Sequence, residues 1–177
     1  MVSRARLVRR LGEGAQRKLT LIVNNAGINL TGTVDGFSLD DFDRLDAVNI
    51  RAAFVATQEA SRHMTAGGHI INIGSTLAER GLYPGLAFYS MTKAAIAALT
   101  RGFALDLAPR AIKVNNIQPG PISTDMTPES EAFKSIVPLK RYGTADEVAS
   151  LVSYLISPEA SFITGASLTI DGGVRAA

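Results

Sequence analysis

The sequence predicts an α/β fold, a doubly wound parallel sheet with helices on both faces, and three observations carry that expectation. Short β-rich apolar runs alternate along the chain with long stretches of helical periodicity. The segments joining successive runs are long enough to hold a helix, which parallel strands require and hairpins do not. Each apolar run gives way to a loop of Gly, Asn, Ser or Pro, and sheets of this kind bind ligands at the carboxyl ends of their strands.

The first run is LTLIVN, Leu19–Asn24, expected to be a strand buried on both faces. It leaves through NNAG, where Gly27 permits a sharp exit. Ser38 is the expected N-cap of a long helix reaching about Met64. Asp40 and Asp41 lie in its first turn, and apolar residues recur through Phe42, Leu45, Val48, Ala52, Phe54 and Val55. HIINI, 69–73, reads as a second buried strand, with Gly67 and Gly68 as the turn before it. A second long helix is expected over 86–107, stopped by Pro109. A third strand follows over 112–117, ended by Pro119 and Gly120. A looser segment with Pro121, Pro128 and Pro138 reads as a flexible lid. Thr144 and Glu147 have the spacing of a capping box for a third helix to about Ile156, and ASLTI, 166–170, is the last strand.

The 177 residues, 46% of them hydrophobic, suit one domain over 1–177 with a core that needs no staples, and no internal repeat or linker divides it. Cysteine is absent, which excludes disulfides, thiolate metal sites and cysteine nucleophiles, and the expected compartment is the cytoplasm. A net charge of +2 with dispersed basic residues does not suit nucleic acid. No apolar run approaches the length of a membrane span. The cluster Arg4, Arg6, Arg9 and Arg10 reads as a solvated helix face, with an arginine-rich transit peptide as the alternative. His63 and His69 have no partner at metal spacing, so no metal is expected.

FYSMTKAA sets Tyr89 and Lys93 four residues apart, one above the other on the same helix face. Standing alone, such a pair is a core tyrosine with a snorkelling lysine. It does not stand alone: NNAG, GST (Gly74, Ser75, Thr76), PGPIST (119–124) and a terminal DGG (171–173) accompany it in order. In these motifs the sequence resembles the short-chain dehydrogenase/reductase family over nearly its whole length. INIGST, PGPISTD and RYGTADEVA are most similar to its 3-oxoacyl-acyl-carrier-protein reductase-like branch.

The resemblance implies a Rossmann-like fold and an NAD(P)-dependent oxidoreductase that interconverts a small-molecule carbonyl and a secondary alcohol, with NAD or NADP as cofactor. It makes Tyr89 the general acid/base. A free phenol titrates near about 10, and a close ammonium is expected to lower it, so Lys93 is expected to tune Tyr89 as well as hold the nicotinamide ribose. Ser75 matches the serine that orients the substrate oxygen, with Thr76 as a second candidate. Asn49 matches the helix asparagine whose backbone carbonyl helps hold a proton-relaying water; alone, it would read as an exposed helix residue. Pro119, Gly120, Ile122 and Thr124 match the segment that meets the nicotinamide. Asn24, Ala26 and Gly27 match the segment under the adenosine part, a role that is partly structural. The two long helices resemble those through which the family forms dimers or tetramers, so a homo-oligomer is implied.

The family's opening strand and glycine-rich TGxxxGxG turn, which brings the pyrophosphate to a helix N-terminus, have no counterpart in the sequence. Gly12-Glu13-Gly14 follows no strand, and TGTVDG, 31–36, continues without a further glycine. The expected sheet is therefore N-terminally truncated, with residues 1–18 as a remnant helix and the NNAG strand as an exposed edge. Such a chain is expected to bind dinucleotide weakly or not at all and to be inactive or nearly so. Three functions stay open: the oxidoreductase, a non-catalytic oligomer subunit, and a small-ligand binding module.

Overall fold

The computed structural model describes residues 19–127 and 129–176; the remnant helix expected in residues 1–18 and Pro128 of the lid lie outside the described residues. Four strands, β1 (Leu19–Asn24), β2 (Met64–Ile73), β3 (Lys113–Pro119) and β4 (Ser167–Ile170), pair in parallel in the order β1-β2-β3-β4. Sequence neighbours are thus spatial neighbours, and each connection has to cross a face of the sheet. Helices α1 (Leu39–Leu45), α2 (Ala52–His63) and α3 (Ala87–Leu107) fill the first two crossovers. The short α4 (Glu131–Ile136) and α5 (Ala145–Leu155) fill the third.

The alternation of a strand sorts these helices into two layers. Ile70 packs with Ala60, Ala104 and Val114 beneath α2 and α3, while Ile71, its neighbour in sequence, packs with Ile117 and Leu155 beneath α5. The sheet advances in one direction throughout, so the crossover through α5, lying on the opposite face, has the opposite hand to the first two. Crossovers of parallel strands are right-handed in nearly all proteins. The third crossover can depart from that rule because its long lead-in, residues 120–144, carries the chain around the edge of the sheet before α5 begins.

Four local expectations are corrected. β1 is not buried on both faces: it is an edge of the sheet among the described residues, and Val23 is 38% exposed because its face opens on a cleft. The long helix expected from Ser38 has the predicted cap, the serine hydroxyl accepting the Asp41 N–H at 3.1 Å, but a π-helical segment, Asp46–Arg51, interrupts it. Gly67 and Gly68 are not a turn before the second strand. They lie inside β2, where Leu19 pairs with Met64 and Leu21 with His69, and Gly67 takes the positive φ that this irregularity demands. The lid is more ordered than a loop, with Ser130 capping α4 and an isolated bridge joining Ile122 to Gly143.

The capping box of α5 forms as its residues suggest: Thr144 Oγ1 accepts the Glu147 N–H at 3.2 Å, and Glu147 accepts the Thr144 N–H at 2.8 Å. Arg141 clasps the same carboxylate at 2.6 and 2.9 Å, and together these contacts hold the Glu147 carboxyl down at about 2. Thr144→Ala is expected to destabilise the fold by about 1 kcal/mol in urea unfolding, with Ser150→Ala, an exposed change, within about 0.5 kcal/mol of the parent. Equal midpoints for the two variants would show that α5 does not depend on its cap.

Candidate active site

The carboxyl ends of β1, β2 and β3 open on one cleft of about 670 Å³, a size that suits a small molecule or part of a cofactor. Asn25, Ala26 and Gly27 line it from β1, Gly74 and Ser75 from β2, and Pro119 and Gly120 from β3. Ile122 and Thr124 extend one wall, and Tyr89 and Lys93 reach it from the first turns of α3. Side chains of a helix lean toward its N-terminus, so a tyrosine and a lysine at the start of α3 are carried back over the end of β2.

Lys93 is 6% exposed, and its Nζ donates to the Ile73 carbonyl at 3.0 Å. Burial lowers it from 10.5 to about 8, which leaves an ammonium at neutral pH. Tyr89 is 9% exposed, and its phenol is raised above 10.0, first by burial, against a lowering hydrogen bond from Ser75, with Tyr83 adding to the rise. This corrects the expectation that Lys93 lowers Tyr89. The ammonium lies over the ring, 5.6 Å from its centroid, and spends its hydrogen bond on a neutral carbonyl, while burial acts on the hydroxyl directly.

Ser75 and Thr76 part ways. Ser75 is extended, caps the turn Thr76–Ala78 by accepting the Leu77 N–H at 3.2 Å, and lines the cleft close enough to Tyr89 to act on its phenol. Thr76 turns away and donates to the Pro119 carbonyl at 3.3 Å. Gly74 permits the close approach: a Cβ there would lie 2.6 Å from Asn116 Oδ1.

Asn49 and Asn24 stand behind the cleft and do not line it. Asn49 is 3% exposed within the π-helical segment, a device common at functional sites. Its amide donates to the Ile28 carbonyl at 2.9 Å and to Thr92 Oγ1 at 3.1 Å, and its oxygen accepts the Ile28 N–H at 2.8 Å. Thr92 in turn donates to the Tyr89 carbonyl at 2.7 Å, so one asparagine ties the loop after β1 to the start of α3. The Asn24 amide donates to Thr57 Oγ1 at 3.0 Å and Asn72 Oδ1 at 2.7 Å, on the side of the sheet that carries α2.

Sequence reasoning missed part of the wall. Asn25 lines the cleft where Asn24 does not, and Ala145, Val148, Ala149 and Val152 of α5 close its far side. Their spacing is a single helical stripe, a periodicity legible once the capping box had set the start of α5. Asp125, Met126 and Thr127 complete the rim and have no motif to announce them. His63 is exposed and contacts Glu59 at 3.1 Å. Among the described residues no group of three or more His, Asp or Glu gathers as a metal site, and no helix is long and apolar enough to cross a membrane.

The family model described as Enoyl-(Acyl carrier protein) reductase matches residues 3–175. The cyclic-di-GMP-binding biofilm dispersal mediator protein of Escherichia coli (strain K12) is 43% identical over 162 residues, covering 89% of this chain and 68% of that protein. Among solved structures, a short-chain dehydrogenase/reductase from Serratia marcescens BCRC 10948 superposes with a TM-score of 0.91 at 47% identity, over 98% of this chain and 73% of that one. A short chain dehydrogenase from Burkholderia cenocepacia J2315 in complex with NADP does so with a TM-score of 0.91 at 44% identity, over 97% and 71%.

The buried ammonium makes stability depend on pH. Between about 8 and 10 the unfolded chain keeps the Lys93 proton that the folded chain gives up, so stability rises with pH in that window. Lys93→Met removes the titrating group, and its unfolding free energy is expected to lack this rise. Urea unfolding of both proteins at intervals across the window checks it, and parallel profiles would show that the ammonium is solvated.

Proposed function

Because this chain belongs to the short-chain dehydrogenase/reductase family, we propose that it serves the carbonyl–alcohol chemistry of that family at this cleft, with a nicotinamide dinucleotide, NAD or NADP, as cofactor. The observation that supports the reading is the convergence of Ser75, Tyr89 and Lys93 with the 119–124 segment on one cleft at the carboxyl edge of the sheet. The donor set suits the nicotinamide half of such a cofactor. Gly27 keeps the space beside Lys93 open, since a Cβ there would sit 3.5 Å from the ammonium, and Gly120 leaves bare backbone on the facing wall. Lys93 would hold the ribose, and Pro119, Gly120, Ile122 and Thr124 would meet the carboxamide. Ala26 and Gly27 would lie under the adenosine part, with Asn24 bracing them from behind. The cofactor supplies or accepts the hydride when bound.

The protein's own groups handle the proton. Ser75 holds the substrate oxygen toward Tyr89, and Tyr89, a phenol at neutral pH that burial makes harder still to ionise, gives its proton to that oxygen during carbonyl reduction. Asn49, its side chain bonded to Ile28 and Thr92, would offer its backbone carbonyl to the water that passes protons toward Lys93, as in the family. The substrate is a small molecule whose fit depends on the lid. The protein is read as one domain working in the cytoplasm as a homo-oligomer, a dimer or tetramer, with neither nucleic acid nor membrane as partner.

Tyr89→Phe is expected to lower carbonyl reduction by about 10²- to 10⁴-fold with the unfolding midpoint unchanged. Reduced-cofactor oxidation against a panel of ketones and aldehydes measures it, and equal turnover by parent and variant would remove Tyr89 from the chemistry. Calorimetric titration with NADH and NADPH measures binding apart from turnover. Lys93→Met is expected to weaken that binding, since Lys93 would hold the ribose. Binding with no turnover on any carbonyl would favour a binding module over an enzyme.

A further inference from the structure

The terminal DGG has no part in the chemistry above, yet its turn touches Gly120 of the cleft, the end of the lid and the loop that leaves Ser75. Asp171 builds the turn with its own carboxylate, one oxygen accepting the Gly173 N–H at 2.9 Å and the other the Arg175 N–H at 2.7 Å. Gly172 and Gly173 take positive φ and press against the end of the lid, where a Cβ would meet Val137 at 2.7 Å and Pro138 at 3.0 Å. The Leu139 N–H donates to the Gly172 carbonyl at 3.1 Å. Gly120 lies against Asp171 so closely that a Cβ on it would come within 2.6 Å. On the third side the turn meets the loop that leaves Ser75. Arg80 donates to the carbonyl of Val174, whose side chain is buried, and Arg175 pairs with Glu79 while also donating to Thr169 Oγ1 at 3.2 Å.

We propose that the C-terminal turn, residues 171–175, is a positioning device: through Arg80 and the Glu79–Arg175 pair it fixes the loop that carries Ser75, and so sets the contact between Ser75 and Tyr89. Among the described residues, Ser75 is held at its own position by capping a single short turn, Thr76–Ala78, and by its approach to Tyr89. The next anchors along the loop are Thr76 on Pro119 and then Glu79 and Arg80 on the C-terminal turn. One exposed ion pair contributes little to stability, so the effect of this latch lies in where it places the loop. The proposal rests on the reading of Ser75 and Tyr89 as the acting pair.

The test reads Tyr89 itself and needs no turnover. In protein with ¹³Cζ-labelled tyrosine, the Tyr89 resonance is assigned by its loss in Tyr89→Phe and then titrated with alkali. The groups facing this phenol are Ser75 and Tyr83 from the loop after β2 and Lys93 from its own helix, and none of them is altered in the latch variants. Ser75→Ala removes the hydroxyl that lowers this phenol and is expected to move the titration upward. Glu79→Arg, Arg175→Glu and Arg80→Met are expected to move it in the same direction by a part of that shift, and the charge-swapped Glu79→Arg/Arg175→Glu protein to return it to the parent value. Circular dichroism confirms that each variant is folded, and Glu79→Gln replaces the reversal if it is not. Latch variants that titrate like the parent while Ser75→Ala shifts would overturn the proposal and leave the proposed function standing. A Ser75→Ala protein that titrates like the parent would overturn both, since there would be no contact for the turn to set.

Discussion

An ammonium inside a protein must be given an acceptor, and Lys93 finds one in the carbonyl of Ile73 at the last residue of β2. That hydrogen bond joins the two parts of the fold that have to meet, the end of a central strand and the first turns of α3. With Lys93 seated, Tyr89 one turn earlier is carried over the exit of β2, where Ser75 waits in extended conformation. The positions of the other walls follow from the same point. Gly74 can pass beside β3 only without a side chain, and Asn49 clamps the loop after β1 to the segment of α3 between Tyr89 and Lys93.

The polar groups that support this arrangement lie on the face of the sheet toward α2 and α3. Asn24, Asn72 and Asn116 occupy equivalent positions on β1, β2 and β3, where apolar side chains would pack as well. Asn24 joins Thr57 to Asn72, Asn72 reaches Thr100, and Asn116 donates to Ser167 on β4. Directional bonds fix the register between strands and helices more narrowly than apolar contact does; Asn24 and Asn72 are partnered here, while the buried Asn116 Oδ1 is left without a partner, and the network is held through the others. It thereby holds the strand ends, on which the cleft depends, in a single alignment.

Much of this was legible in the sequence. The parallel sheet with helices on both faces, the cap at Ser38, the capping box of Thr144 and Glu147, and the meeting of Tyr89, Lys93, Ser75 and the 119–124 segment all follow from local pattern and topology. What local pattern does not reach are the effects of three-dimensional surroundings. The spacing of Tyr89 and Lys93 puts them on one face but does not say whether the ammonium will lie beside the hydroxyl or over the ring, nor that burial will outweigh it. The π-helical segment at Asn49 depends on a loop twenty residues earlier in the chain. The placement of α5 on the opposite face of the sheet, and with it the far wall of the cleft, is set by a long lead-in that no periodicity describes.

The central claim is that the cleft at the strand ends is a nicotinamide site built around Lys93. A crystal structure of this protein soaked at saturating concentration with NADPH tests it most directly. Density is expected for the nicotinamide ribose within hydrogen-bond distance of Lys93 Nζ and for the carboxamide against the backbone of residues 119–124. Dinucleotide bound elsewhere, with Lys93 still on Ile73 and the cleft holding only water, would contradict it.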